Sequence, residues 1–243
     1  MAIEMKSSVC IIPAKGISER VPRKNLQVVG DKPLIGHAIH CATKSGLFDE
    51  IIVSTEDPDI ATVARKFGAR VPELRPGQLA QNCSGVADVC IFELKRLLEK
   101  ENKAFALTFL LLPTSPFRKP EHLIAASKLF DRHPDAPALM SVSPLDYPPQ
   151  WAMIEKQDGM IARMFPPEIS HCRRHDLIPT YRHDGLIAIF RTQAFLQQGN
   201  YAFPEFVMYK TPENDGLDID TLDDLELARL RWNREQGLQS RAA

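Results

Sequence analysis

The chain has 243 residues, of which 44% are hydrophobic and 25% charged, a composition typical of a soluble globular protein that can bury a sizeable core. Its 30 basic residues are balanced by 31 acidic ones, and the resulting net charge of -1 excludes the basic surplus typical of proteins that bind nucleic acid or anionic membranes. The longest apolar stretch, residues 104–112, is too short to span a bilayer.

Short β-branched runs alternate along the chain with segments of helical periodicity. In chain order, strands are predicted at 9–12, 51–54, 71–74, 105–112, 138–142 and 186–190. Helices are predicted between them at 34–44, 58–67, 86–100 and 121–131, with a closing helix at 221–232 whose N-cap is Thr221. This alternation predicts an α/β fold with a doubly wound, mostly parallel sheet that is covered on both faces.

The alternation breaks between residues 143 and 180, where prolines are frequent. Residues 151–155 and 160–163 predict a short hairpin around Asp158-Gly159. This pattern indicates an excursion from the sheet, either a lid or an oligomerisation arm. We therefore expect residues 1–142 and 181–243 to form one nucleotide-binding catalytic α/β domain, and residues 143–180 to be a segment inserted into it.

The beginning of the chain and its cysteines favour the cytoplasm. Residues 1–8 lack the apolar centre of a signal peptide. The five cysteines are odd in number and show no CxxC spacing, which argues against a disulfide framework or a zinc ribbon. We expect neither a nucleic-acid nor a membrane partner, so a site for an anionic ligand must be a local concentration of positive charge.

Such a concentration follows the first predicted strand. Residues 15–24 contain four cations and one acid, in a chain that is otherwise neutral. A solvated basic loop would have this composition too, but ligands of an open parallel sheet collect beyond the carboxyl ends of its strands. A phosphate-rich ligand could use Lys15 and Lys24 as point charges, Arg20 as a fork, and Ser18 with backbone N–H groups as donors. The loop has neither the GxGxxG nor the GxxxxGK[ST] pattern, which disfavours a Rossmann dinucleotide site and a P-loop.

A second candidate site is the pair Asp218 and Asp220. In an extended segment, residues two apart point to the same side, so both carboxylates can face one ligand. Paired carboxylate oxygens suit Mg²⁺, which proteins usually hold by one or two carboxylates and substrate phosphates. The alternative is that both acids serve the N-terminus of the closing helix, a role that Asp223 and Asp224 already fill. A basic loop and a two-carboxylate metal site together indicate phosphoryl or nucleotidyl transfer.

Six ordered motifs resemble one known family. Residues 12–25 resemble the IPARxGSKxxxxKN signature of the acylneuraminate cytidylyltransferases, also called CMP-nonulosonic acid synthetases. Residues 54–57 and 74–80 resemble that family's STDD and LRPxxLA segments. Residues 113–118 resemble PTSPLR, residues 174–185 resemble RQxLPxxYxxNG, and residues 218–221 match IDIDT. The resemblance extends over nearly the whole chain.

This resemblance implies a fold, a reaction and partners. The fold would be a Rossmann-like nucleotidyltransferase sheet with a small β-rich dimerisation excursion at 143–180. The reaction would transfer CMP from CTP to the anomeric hydroxyl of a nonulosonic-type 2-keto sugar acid, with Mg²⁺ as cofactor and pyrophosphate as product. The protein would act as a homodimer.

The resemblance also assigns roles to residues. Lys15 and Lys24 would be catalytic together with Asp218 and Asp220, which would hold Mg²⁺. Arg174 and Asp184 would bind the sugar acid, with Arg174 reaching the acid of a neighbouring subunit. The nucleotide would be held by Pro13, Ala14, Lys15, Ser18, Arg20, Lys24, Asn25, Arg75, Ser84 and Asp88.

The chain departs from the family pattern in both halves of the expected site. Lys15 stands where an arginine is usual, so a forked phosphate grip becomes a point charge. Ile17 replaces a common glycine, and Glu19 replaces a common lysine. These three changes concern the nucleotide loop.

Further departures fall on the expected sugar pocket. Leu112 stands where sialic-acid enzymes usually have glutamine, Ala188 where they usually have tyrosine, and Asp184 where they have asparagine. Loss of polar partners at 112 and 188 predicts a more apolar pocket and a sugar acid other than N-acetylneuraminate. A deoxygenated pseudaminic or legionaminic type fits this pattern, and an octulosonate remains an alternative.

Two other readings stay open. The departures at Lys15, Ile17 and Glu19 are compatible with a catalytically degenerate relative that only binds nucleotide, although such a chain would have little reason to keep both Asp218 and Asp220. The other is a nucleotidyltransferase for a sugar phosphate or alcohol phosphate. Its acceptor pocket would need cations, which the sequence offers at Arg118, Arg173, Arg174 and Arg182.

Overall fold

A mixed six-stranded sheet is the centre of the computed structural model, which describes residues 7–80 and 85–242. Its strands among these residues are β1 (Ser8–Pro13), β4 (Glu50–Ser54), β5 (Leu107–Leu110), β6 (Ala138–Pro144), β9 (Tyr181–Arg191) and β10 (Val207–Lys210). Two small hairpins are formed by β2 (Val28–Val29) with β3 (Lys32–Pro33), and by β7 (Met153–Glu155) with β8 (Ile161–Arg163). The helices are α1 (Leu34–Ser45), α2 (Pro58–Lys66), α3 (Val86–Glu101), α4 (Pro120–Asp131), α5 (Pro167–Ser170), α6 (Thr192–Gln198) and α7 (Leu222–Ala242). Short 3-10 turns occupy Lys24–Leu26, Gly77–Ala80, Pro149–Trp151 and Arg174–Asp176.

The strand order β10-β6-β9-β5-β1-β4 confirms the predicted mostly parallel α/β sheet. β4, β1 and β5 run parallel, β10 runs parallel to β6, and β9 is antiparallel to both of its neighbours. The two faces of β1 belong to different core clusters, with Val9 and Ile11 on one side and Cys10 and Ile12 on the other. Burial on both faces explains why this strand reads as one continuous apolar run.

Two predicted strands differ from the structure, and several elements were not predicted. The strand expected at 71–74 is wrong: Arg70 alone bridges to Ile52, and Pro72 and Pro76 lack the N–H groups that a ladder needs. β5 covers only four of the eight residues expected at 105–112. The elements that were not predicted include the β2–β3 hairpin, α5, α6 and the edge strand β10.

The segment between β6 and β9 leaves the sheet and returns to it at neighbouring positions. Pro144 at the end of β6 pairs with Tyr181 at the start of β9. Between them lies the β7–β8 hairpin, whose turn contains Gly159 at a φ of 80°. The hairpin was predicted and is confirmed, whereas the division of the chain into a catalytic domain and an inserted segment remains a prediction.

The closing helix α7 fixes the segment before it against the first loop. Thr221 Oγ1 accepts a hydrogen bond from the backbone N–H of Asp224, and Oδ2 of Asp224 accepts one from the N–H of Thr221, so the predicted N-cap is confirmed. Ile219 and Leu225 pack with Val21 in a small apolar cluster. This packing brings residues 218–220 to residues 15–25. Within the described ranges, no helix has the length and apolar character needed to cross a membrane.

Candidate active site

The main cavity opens where β1 and β5 end at the carboxyl edge of the sheet, and has a volume of about 420 Å³. This is the edge at which ligands of open α/β sheets bind. Its walls bring together the basic loop, the two predicted metal carboxylates, Arg75 and the start of α3. The lining residues are Pro13, Lys15, Ser18, Glu19, Arg20, Lys24, Asn25, Arg75, Leu79, Gly85, Val86, Val89, Leu112, Pro113, Thr114, Asp218 and Asp220.

The loop after β1 keeps its shape through internal hydrogen bonds. Nδ2 of Asn25, a residue only 7% exposed, donates to the carbonyl of Lys15 at 2.8 Å. This bond closes the loop, so that Lys15 and Ser18 line the cavity. Ala14 is fully buried in the core, and its N–H donates to the carbonyl of Ser54, so its predicted contact with the nucleotide stays a prediction that concerns its backbone alone.

Lys24 connects the basic loop to the carboxylate segment. Its Nζ donates to the carbonyl of Ile219 at 2.7 Å and to Oδ1 of Asp220 at 3.0 Å. Arg20 reaches the same Oδ1 at 3.3 Å. The Lys24 side chain is 13% exposed, whereas that of Asp220 is 49% exposed. The ammonium group is therefore held in place while the carboxylate stays open to a ligand.

Asp218 has the properties of a cation ligand. Its segment is anchored where the N–H of Ile219 donates to the carbonyl of Thr114 at 2.9 Å. Burial raises the pKa of Asp218 and the nearby charge of Asp220 adds to this, while a hydrogen bond with Thr114 and the charge of Lys24 oppose it. Its buried Oδ1 has no hydrogen-bond partner among the described residues. A buried carboxylate oxygen without a donor suits a bound cation.

Arg75 also lines the cavity. It is 4% exposed, and its Nη1 donates to the carbonyl of Ser54 at 3.0 Å. Its Nη2 lies 2.7 Å from Oε2 of Glu56, whose Oε1 accepts the backbone N–H of Gly16 at 2.6 Å. Sequence reasoning missed Glu56 as a site residue, although the STED motif contains it.

The predicted contacts near the start of α3 have a mixed outcome. Ser84 lies outside the described residues. Asp88 is exposed and does not line the cavity; its Oδ2 accepts the N–H of Gly85 at 2.7 Å and so caps the helix. The sequence did not single out Gly85, Val86 or Val89, which line the cavity instead.

Asp184 is a structural residue rather than a cavity residue, which corrects its predicted contact with the sugar acid. It is 2% exposed, and its carboxylate accepts hydrogen bonds from the hydroxyls of Ser141, Ser143 and Thr211 at 2.5–2.8 Å and from the N–H of Leu186 at 3.1 Å. Burial alone would raise the pKa of Asp184, but these hydrogen bonds outweigh it and hold the pKa below its usual range.

Of the other two residues that depart from the family pattern in the expected sugar pocket, one lines the cavity and one is buried in the core. Leu112 lines the cavity and lies against Gly185, at which an added Cβ would come within 3.1 Å of Cδ1 of Leu112. Ala188 is 2% exposed and packs in the core, so it does not shape the cavity. Arg118, considered above as a cation for a phosphate acceptor, is also buried and donates to the carbonyls of Leu186 and Leu112.

Arg174 lies outside the main cavity, in the segment between β6 and β9. Its Nη2 donates to the carbonyl of Leu145 at 3.2 Å, and the residue borders a second depression of about 330 Å³ together with Pro144 and Tyr181. Within one chain, Arg174 does not line the main cavity with the basic loop. Its predicted contact with the sugar acid of a neighbouring subunit stays a prediction.

Comparison with known proteins agrees with this geometry. A cytidylyltransferase family model matches residues 9–138. Pseudaminic acid cytidylyltransferase of Campylobacter jejuni is 30% identical over 93% of this chain and 96% of its own length. CMP-N,N'-diacetyllegionaminic acid synthase of Legionella pneumophila is 33% identical over 88% of this chain and 90% of its own length. The solved structure of a CMP:2-keto-3-deoxy-manno-octonic acid synthetase complexed with CTP has the same fold, with a TM-score of 0.68, 17% identity, and coverage of 94% of this chain and 99% of that one.

The fold and the cavity thus define a nucleotidyltransferase. The chain belongs to the cytidylyltransferase family, in its branch of CMP-nonulosonic acid synthetases. The resemblance drawn from the six motifs is confirmed.

Proposed function

We propose that this protein transfers the CMP group of CTP to the anomeric hydroxyl of a nonulosonic-type 2-keto sugar acid. The carrying observation is the pairing of Lys24 Nζ with Oδ1 of Asp220 at 3.0 Å, which joins the basic loop and the carboxylate pair in one cavity. The anomeric oxygen forms a bond to the α-phosphorus, the bond from that phosphorus to the bridging oxygen breaks, and pyrophosphate leaves. The hydroxyl proton passes to solvent water in the same step.

The residues of the cavity supply positioning and charge. Lys15, Arg20 and Lys24 neutralise the triphosphate, and Ser18 donates to it. Arg75 and the wall at Val86 and Val89 enclose the base, following the family assignment of Arg75 to the cytosine pocket. Such a transfer depends on orientation and charge neutralisation more than on covalent chemistry by the protein.

Mg²⁺ is the proposed cofactor, held by Asp218 and Asp220. The partnerless buried Oδ1 of Asp218 fits this assignment. Among the described residues no group of three or more His, Cys, Asp and Glu side chains is arranged to hold a metal, so phosphate oxygens of the nucleotide would complete the coordination. When bound, the ion would neutralise phosphate charge and lower the pKa of the attacking hydroxyl.

For the acceptor, we propose a deoxygenated nonulosonic acid of the pseudaminic or legionaminic type rather than N-acetylneuraminate. Leu112 places a branched alkyl group on the cavity wall where sialic-acid enzymes usually have glutamine. The names of the two relatives reported above agree with this choice. A pocket without the hydrogen-bonding amide loses its preference for the polar substituent that the amide would bind.

The active form is proposed to be a homodimer in the cytoplasm. The segment 143–180 exposes large apolar side chains that a single chain leaves in water, among them Tyr147 at 79%, Ile161 at 68% and Ile178 at 80% exposure. Contiguous apolar surface of this kind marks interaction sites. A partner bound there would bring Arg174 of one subunit towards the sugar acid of the other.

Pyrophosphate release tests the function directly. The assay combines Mg²⁺, each of the four nucleoside triphosphates, and a panel of 2-keto sugar acids that includes N-acetylneuraminate and an octulosonate. Release with CTP and a pseudaminic- or legionaminic-type acid is expected. CTP that raises the melting temperature without any release would indicate the degenerate binder instead, and release only with a sugar phosphate or alcohol phosphate would indicate the other acceptor class.

A further inference from the structure

Glu56 connects two walls of the nucleotide cavity through a single carboxylate. Oε1 accepts the N–H of Gly16 in the loop after β1 at 2.6 Å, and Oε2 lies 2.7 Å from Nη2 of Arg75, which lines the cavity. The three residues are far apart in the chain, since Gly16 lies 40 positions before Glu56. Backbone hydrogen bonds from Ala14 to Ser54 and from Arg75 to Thr55 bring both segments beside β4, and the Glu56 carboxylate adds a side-chain link between them.

Arg75 depends on Glu56 for its charge balance. Its side chain is 2% exposed, and the other contacts to its segment are with uncharged carbonyls: Nη1 donates to Ser54 and the backbone N–H donates to Thr55. A buried guanidinium requires an opposite charge, and removing that charge leaves a costly unpaired cation. Glu56, with 18% side-chain exposure, supplies it at the edge of the cavity.

The neighbouring residue Asp57 contacts Gly16 as well and caps helix α2. Its Oδ1 accepts the N–H groups of Asp59 and Ile60 and so caps α2. Its side chain also packs so closely on Gly16 that a Cβ there would lie 2.6 Å from Oδ2. Asp57 and Glu56 therefore contact Gly16 from the same turn at the start of α2.

From these contacts we propose that Glu56 is a positioning residue, one that holds the phosphate loop and Arg75 at the separation that CTP requires. It acts through Gly16 and Arg75 and does not itself line the cavity. The proposal rests on the proposed function only in naming CTP as the ligand. It predicts an effect on nucleotide affinity that is separate from any effect on the sugar acid.

The test is calorimetric titration of CTP, without sugar acid, into the wild-type protein, E56Q, E56D and the control E73Q. Glu73 lies two residues before Arg75 and forms a similar but exposed ion pair with Lys100 at 2.8 Å. E56Q keeps the volume but cannot satisfy both Gly16 and Arg75 as a carboxylate does, and we expect it to bind CTP about tenfold more weakly. E56D keeps the charge on a side chain that is one methylene shorter, and we expect it to recover part of the lost CTP affinity. E73Q is expected to bind CTP as the wild type does.

Kinetics separate positioning from a general loss of structure. The KM for CTP is expected to rise with the dissociation constant in E56Q, while the KM for the sugar acid stays within about twofold and the E73Q values stay unchanged. Equal CTP affinity of E56Q and wild type, or a parallel rise of both KM values, would overturn the proposal. If E56Q does not fold, E56D decides by the same criteria. Wild-type protein that binds CTP but transfers to no sugar acid would refute the proposed function and leave the affinity comparison intact.

Discussion

Lys24 and Asp220 are 196 residues apart in the chain, and their side chains meet at 3.0 Å on the cavity wall. The same ammonium group donates to the carbonyl of Ile219, so its position is fixed by two hydrogen bonds. A cation held in this way is preorganised for charge that develops on a transferring phosphoryl group.

Replacing Lys24 with alanine is expected to reduce kcat/KM for CTP by about 100-fold, because a preorganised charge is lost from the transition state. The measurement is pyrophosphate release at saturating sugar acid. Lys32→Ala is the matched control, since Lys32 pairs with Asp31 away from the cavity. A reduction smaller than threefold would remove Lys24 from the catalytic residues.

Asp220→Asn is expected to lower kcat by about 100-fold and to raise the Mg²⁺ concentration needed for half-maximal rate, because one of two carboxylate ligands becomes a neutral amide. The rate is measured as a function of Mg²⁺ concentration at fixed CTP. Asp223→Asn serves as the control, as Asp223 is an exposed acid in the first turn of α7. Unchanged turnover and Mg²⁺ dependence in Asp220→Asn would show that the metal assignment is wrong.

Gly185→Ala is expected to destabilise the fold by roughly 1 kcal/mol, because Gly185 has a φ of 73°, and to raise the KM for the sugar acid. The second effect follows because the new methyl group would press on Leu112 at 3.1 Å and displace it towards the cavity. Gly159→Ala separates the two effects. Gly159 has a φ of 80° but open space around it, so only stability should change there. Equal KM values in both variants would contradict the role of Leu112.

Asp184 is expected to make stability pH-dependent on the acid side. Its pKa in the folded protein is below the ordinary value of about 3.9, so its stabilisation is present above that value and disappears as the pH falls through the lower folded pKa. Asp184→Asn should therefore lower the melting temperature at pH 7, and the difference from wild type should shrink below about pH 4. The exposed Asp135→Asn is the control. A difference that stays constant with pH would show that charge is not the cause.

Ile161→Asp is expected to convert the proposed dimer into a monomer, because it places a charge in the apolar surface of segment 143–180. Sedimentation velocity measures the outcome. Leu230→Asp on α7 is the control, since Leu230 is also 68% exposed but lies outside that segment. A wild-type protein that sediments as a monomer, or an unchanged dimer in Ile161→Asp, would contradict the assignment of this surface.

The parts of the site that lie on one continuous segment could be predicted from sequence. The apolar run of β1 followed by cations located a basic loop that lines the cavity, and the alternation of Asp218 and Asp220 predicted that both acids line it too. The pattern could not show which way Ala14 faces, because the strand's burial continues one residue past its end.

Residues whose partners come from other strands or loops could not be assigned in this way. Asp184 reads as a polar residue beside a glycine, and only the sheet order brings Ser141 and Thr211 to its carboxylate. Glu56 likewise becomes informative only when Gly16 and Arg75 are seen on either side of it. Long-range hydrogen bonds of this kind leave no periodic signal in the sequence.

Because Lys24 and Asp220 are far apart in the chain, they are synthesised at very different times. A nascent chain on the ribosome folds from its N-terminus, so Lys24 emerges long before Asp220. Arg23 has acidic partners in Asp57 and Asp59, which are synthesised soon after the loop, whereas Lys24 meets Asp220 only after residues 218–220 have been made. The contact between Lys24 and Asp220 is thus among the last long-range contacts of the molecule that can form during synthesis.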